Sequence, residues 1–107
     1  MKIVYIAHPI GGDVENNLAD LRRIIRKINL EMLDILPFCP YYADVVSMDD
    51  NVRKERERCL SNDVKVIKSG MVDEMWLTGR WVSAGMDMEK DLAIYLGIPV
   101  VDLTNRI

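Results

Sequence analysis

Apolar positions follow two alternating rhythms along the chain, short β-rich runs and longer stretches at helical spacing. Residues 2–7, KIVYIA, form the first run, which HPIGG then breaks. From Asp13, the residues Val14, Leu18, Leu21, Ile25, Ile28 and Met32 recur at helical spacing, while Arg22, Arg23, Arg26 and Lys27 fall mostly opposite. That pattern predicts an amphipathic helix to about residue 34, with Asp13 as its cap. ILPFCP follows as a second strand held between Pro37 and Pro40, and YYADVVSMDDN reads as a loop. VRKERERCLSNDVKVIKSG is predicted helical, its alternating charges marking a solvated face. VDEMWLT is a third strand, GRWV a loop, SAGMDMEKDLAIYLG a helix and IPVVDL a fourth strand.

Strands that alternate with helices predict an α/β fold, a parallel sheet with helices on both faces and right-handed crossovers. There are no repeats, low-complexity segments or linkers, so residues 1–107 are expected to form one domain. In open α/β sheets a ligand binds beyond the carboxyl ends of the strands, near the switch in strand order. The loops expected there are HPIGG, YYADVV and TGRWVSAG.

Composition narrows the class. Half of the residues are hydrophobic and 29% are charged, which fits a globular chain. The 14 basic and 17 acidic residues leave a net charge of −3, giving no support for a nucleic-acid polymer or an anionic membrane as partner. No stretch resembles a signal peptide or approaches spanning length, so a cytoplasmic protein is expected. Cys39 and Cys59 share no CxxC pattern and read as reduced, buried thiols, and a single histidine argues against a zinc site.

The stretch Ser83 to Val100 carries the most specific chemistry. Ser83 suits an N-cap, Gly97 a C′ position, and Pro99 cannot continue the helix. At about 100° per residue, Gly85, Met88, Leu92, Ala93, Tyr95 and Leu96 gather into an apolar sector, with Asp87, Lys90 and Asp91 opposite. Glu89 falls inside that sector. A carboxylate there either curls out at the edge of the sector or looks into a cavity. Its place just past the third strand-end loop, beside the expected crevice, favours the cavity.

The first loop, HPIGGD, leads into a helix N-terminus. Gly11 and Gly12 would let backbone amides approach an anion, though such a pair is also an ordinary turn. Ser83 and Gly85 offer a second corner of this kind. Two such corners around a carboxylate would suit a phosphorylated sugar whose anomeric carbon faces Glu89, because a nearby carboxylate stabilises an oxocarbenium-like transition state. A second acid must then protonate the leaving group. Asp63 is the candidate, with an ordinary surface aspartate as the other reading. Tyr5, Tyr41 and Tyr42 are candidates to line the crevice, Tyr5 being equally suited to the core. His8 is expected to contact ligand rather than transfer a proton.

YIAHPIGG, DEMWLTG and SAGMDMEKDLAIYLGIPV together resemble the nucleoside 2-deoxyribosyltransferase superfamily, which includes the 2′-deoxynucleoside 5′-phosphate N-hydrolases and many small bacterial and phage proteins. The spacing Ser83-x-Gly85-x-x-x-Glu89 is closer to the hydrolase branch than to the transferases, which usually read D-S-G-T-x-x-E. The resemblance implies a flavodoxin-like open parallel sheet of four to five strands, in a homodimer or larger homo-oligomer. It implies no cofactor and no metal. By the same resemblance Glu89 is the nucleophile, Asp63 acts on the leaving base, and Tyr5 is the first tyrosine of the site. Pro9, Ile10, Gly11 and Gly12 would form the phosphate or ribose loop, and Ser83 would help hold the 5′ end.

The chain departs from that pattern in three places. His8 stands where better-known members usually carry Gly, and Asp91 where many have Gly. The first loop lacks the arginine of the phosphate-hydrolysing branch. Either Arg80 in the third loop replaces it, or the substrate is a free nucleoside. The expected function is cleavage or transfer at the N-glycosidic bond of a 2′-deoxynucleoside or its 5′-monophosphate. A nucleotide-binding or sensing module without turnover is the alternative, and a structural protein with Glu89 as a helix-edge residue is a third reading.

Overall fold

A computed structural model describes residues 1–107. Its elements run β1 (Lys2–Ala7), α1 (Val14–Glu31), β2 (Ile35–Phe38), α2 (Pro40–Ser47), α3 (Arg53–Lys68), β3 (Glu74–Leu77), α4 (Ala84–Tyr95) and β4 (Val100–Asp102). The four strands form one sheet in the order β2-β1-β3-β4. Every pair is parallel, with Tyr5 opposite Phe38 on one side and Met75 on the other. The α/β, flavodoxin-like architecture expected from the alternating pattern is therefore what the chain adopts.

Strand order reverses after β2, so right-handed crossovers send α1 over one face of the sheet and α2, α3 and α4 over the other. β1 is buried on both faces: Val4, Tyr5, Ile6 and Ala7 are all fully covered. Tyr5 points to the face where it meets Tyr41 of α2, with ring centroids 6.0 Å apart. Its neighbours Val4 and Ile6 point the other way, towards the α1 face of Leu18, Leu21, Ile24 and Ile28.

Four local expectations change. The loop read over YYADVV is the helix α2, because Pro40 sits at its first turn, where a missing N–H costs nothing, and Tyr41 anchors it in the core. Asp13 holds the N-cap position of α1 but caps no backbone amide; its carboxylate takes the Asn16 side-chain amide at 2.8 Å. α1 ends at Glu31, slightly short of residue 34. In α4 the buried residues are Met86, Glu89 and Ala93, while Met88, Tyr95 and Leu96 are exposed. The inward face is thus rotated away from the most apolar sector and is centred on the carboxylate.

The limits of α4 follow the expected chemistry. The Ser83 hydroxyl accepts from the Met86 amide at 3.2 Å. At the other end Gly97, at φ +77°, lets its own N–H reach the Ile94 carbonyl and that of Ile98 reach Ala93.

Candidate active site

The loops at the carboxyl ends of β1 and β3 flank the switch in strand order and are pinned from both sides. Thr78 donates to the Ala7 carbonyl through its amide at 2.9 Å and its hydroxyl at 2.8 Å. The buried Asn17 of α1 donates to the carbonyls of Ile10, at 2.9 Å, and Gly11, at 3.3 Å. Gly79, at φ +88°, lies so close under the first loop that a Cβ there would sit 2.7 Å from Pro9 Cδ. A side chain at that position would push the two loops apart.

Between these loops and α3 lies a cavity of about 210 Å³. His8, Pro9, Ile10 and Gly11 form one wall. Ser83, Gly85, Met86 and Glu89 come from α4 and its cap. From α3 come Arg56, Cys59, Leu60 and Asp63, the i, i+3, i+4, i+7 stripe of a single helix face. Asp50, Tyr41, Val45 and Trp81 complete the rim.

Glu89 is only 8% exposed, and the Tyr5 hydroxyl donates to its Oε2 from below. Burial pushes the Glu89 carboxyl up to about 7, against the pull of the Tyr5 hydrogen bond. Asp63 is 5% exposed, and its Oδ1 is buried without a hydrogen-bond partner. Burial, then the negative charges of Glu89 and Asp44, push it up to about 8. Because the Glu89 charge raises Asp63, the two carboxyls titrate as a pair. Tyr5 is driven well above the ordinary phenol range by burial and by Glu89, so it remains a hydrogen-bond donor.

The other expected residues divide. Ser83 and Gly85 line the cavity, and Ser83 spends its hydroxyl on capping α4. His8 lines it too, but both ring nitrogens are engaged, with the Pro9 carbonyl at 2.8 Å and Asp20 at 3.0 Å. Only the carbon edge of that ring is left for a ligand. Gly12 lies in the adjoining outer groove rather than in the cavity. Arg80 lines separate grooves beside Asp20 and is not brought to the carboxylates. Tyr41 lines the cavity, whereas Tyr42 hydrogen-bonds Arg22 on the outside, at 3.2 Å.

Arg56, Asp50 and Trp81 were not singled out in the sequence. Arg56 could have been found by asking which residues of the third helix share a face with Asp63. Asp50 and Trp81 carry no such signal, because loops bring them to the rim. Both cysteines are free and half-buried. Asp44, Cys59 and Asp63 each bring one ligand atom within 4.8 Å of the others, a set that could hold a metal ion. Asp44 is already bonded to Asn62 at 3.1 Å, and burial with the surrounding carboxylates pushes the Cys59 thiol up to about 12.

No curated protein matches the chain. A solved structure described as a 2-deoxyribosyltransferase from the psychrotolerant bacterium Bacillus psychrosaccharolyticus is similar over 98% of this chain and 75% of its own, with a TM-score of 0.68 and 20% sequence identity. That likeness is one of fold. The family described as a domain of unknown function (DUF7768) matches residues 2–103, nearly the whole length, and the chain belongs to that family.

Proposed function

We propose that the protein is an enzyme that cleaves, or transfers at, the N-glycosidic bond of a 2′-deoxynucleoside or its 5′-monophosphate. The observation that carries this reading is the pair of buried carboxyls, Glu89 and Asp63, lining one cavity with their affinities for protons raised to about 7 and about 8. The shared fold of the solved deoxyribosyltransferase supports it.

In the singly protonated pair Glu89 is the nucleophile. Its carboxylate oxygen forms a bond to C1′ while the C1′–N bond breaks and its electron pair leaves with the base. Asp63 gives its proton to that base as it departs. The result is a glycosyl ester on Glu89, a free base and an Asp63 carboxylate. Water then attacks C1′, Asp63 takes its proton, and Glu89 is released, which completes a retaining hydrolysis. A second base in place of water gives transfer. Tyr5 is a positioning residue, because its hydroxyl holds one oxygen of Glu89 and burial keeps it in the protonated, donating form.

Two buried acids facing one cavity support chemistry over passive binding, since a sensing pocket gains nothing from the cost of burying both. The protein is further proposed to work as a single 1–107 domain, without a cofactor, in a homodimer or larger homo-oligomer. The test is chromatographic detection of free base from each deoxynucleoside and its 5′-monophosphate, beside Glu89→Gln. Release that disappears in the variant is expected. No release from any substrate would refute the proposal.

A further inference from the structure

The charges around the cavity limit what can enter it. Apart from Glu89 and Asp63, the charged lining residues are Asp50, from the connection between α2 and α3, and Arg56 of α3. Arg56 is the sole arginine or lysine in the lining. His8 has no free ring nitrogen to offer. The ion pairs of the fold are Lys2–Glu74, Arg23–Asp20, Arg53–Glu57 and Lys90–Asp87, and none engages Asp50 or Arg56.

Asp50 and Arg56 both line the cavity. Both also line the outer groove with Gly11, Gly12, Asn51 and Arg53. Asp50 is half-buried, and its Oδ2 lies 3.9 Å from where a Cβ on Gly11 would be, so the carboxylate faces the first loop. Arg56 is seven positions before Asp63 on the same stripe, about 10 Å along the helix axis. Arg56 and Asp63 therefore sit two helical turns apart on one wall of the cavity.

An acceptor and a donor lining one cavity, each without an ion-pair partner, match a hydroxyl, which donates to the carboxylate and accepts from the guanidinium. A phosphate monoester would satisfy Arg56 but would bring its negative charge against Asp50 and Glu89, with one cation to answer three anions. We propose that Asp50 and Arg56 are specificity-determining residues that read an uncharged 5′-hydroxyl, so that the substrate is a free 2′-deoxynucleoside and its 5′-monophosphate is rejected. This rests on the glycosidic-bond function proposed above and goes beyond it by choosing between its two substrate classes.

The experiment compares base release from the common deoxynucleosides and their 5′-monophosphates by wild type, Asp50→Asn and Arg56→Gln. Wild type is expected to favour the nucleoside in kcat/KM by at least about tenfold, the worth of one hydrogen bond to a charged group. Asp50→Asn should lower nucleoside kcat/KM about tenfold while the monophosphate gains, so the ratio between the substrates moves as well as the rate. Arg56→Gln should weaken nucleoside turnover without rescuing the monophosphate. A wild-type preference for the monophosphate, or an unchanged ratio in Asp50→Asn, would overturn the assignment. Calorimetric binding of the same compounds separates this result from the chemistry. If no base is released, the glycosidic function fails, yet tighter nucleoside binding that Asp50→Asn reverses still supports the selection. Equal or absent binding of both compounds refutes the selection too.

Discussion

The Tyr5 hydroxyl donates a hydrogen bond to Glu89 across a sequence separation of 84 residues. The bond joins the centre of β1 to the inward face of α4 and fixes the carboxylate at the floor of the cavity. Tyr5 itself is fully buried, so the contact is set by the core and not by a mobile loop. That rigidity is what a nucleophile needs, because its oxygen must be aimed before substrate arrives.

Replacing Glu89, the proposed nucleophile, should remove chemistry and spare the fold. Glu89→Gln is expected to lower base release at least about a thousandfold while keeping the thermal transition of the wild type or raising it. Activity within tenfold of wild type would exclude a covalent role for Glu89.

Tyr5→Phe removes the hydrogen bond and keeps the ring in the core. A hydrogen bond to a charged group is worth about 1.5–3 kcal/mol, so kcat is expected to fall about ten- to a hundredfold. Because that bond holds the Glu89 proton affinity down, the acidic limb of the pH profile should move to higher pH. A drop in rate with the limb unmoved would mean a purely structural effect.

The pH profile of kcat/KM should be a narrow bell. The proposed mechanism needs one proton on the pair, so the rate is expected to rise as the first carboxyl ionises at about 7 and to fall as the second ionises at about 8. Asp63→Asn should remove the alkaline limb along with most of the activity. A plateau from neutral to strongly alkaline pH in the wild type would argue against Asp63 as the acid.

Stability should respond to the same pair with a definite sign. The Asp63 proton affinity is raised on folding from 3.8 to about 8, so below the lower value both states are protonated and the group contributes no penalty. As pH rises between those values the folded state resists ionisation, and the penalty is complete above about 8. Asp63→Asn is therefore expected to stabilise the protein at pH 8.5 by about 2 kcal/mol and to change little at pH 4. Thermal melts of both proteins across that range test it; a gain that is larger in acid than in alkali would reverse the assignment.

The contact of Gly79 with the first loop makes a purely steric prediction. Gly79→Ala places a Cβ 2.7 Å from Pro9 Cδ at a backbone φ of +88°. A loss of about 1–3 kcal/mol is expected in denaturant unfolding, together with weaker binding at the first loop. Ser83→Ala should cost about 1 kcal/mol through its cap. An unaltered midpoint for Gly79→Ala would show that the loops yield freely.

Much of this molecule is written locally. The alternation of strand and helix, the cap at Ser83, the stop at Gly97 and the inward-pointing Glu89 each depend on residues within a turn or two of one another, and periodicity reports such relations. The two-turn helix α2 escaped that reading, because eight residues give too short a window for a period and Pro40 reads equally well as a strand stop. The apolar sector of α4 misled for a related reason: periodicity finds the greasiest side of a helix, whereas burial is decided by where the sheet and α3 lie. What only the tertiary structure decided is the company each charge keeps. It placed Asp63, its Oδ1 unpartnered, in one cavity with Glu89, tied His8 to Asp20, left Arg80 outside and brought Arg56 and Asp50 into the same lining. Those relations join residues from different crossovers, and the energy of a charge depends on its distance to other charges and to water, which a linear pattern does not contain.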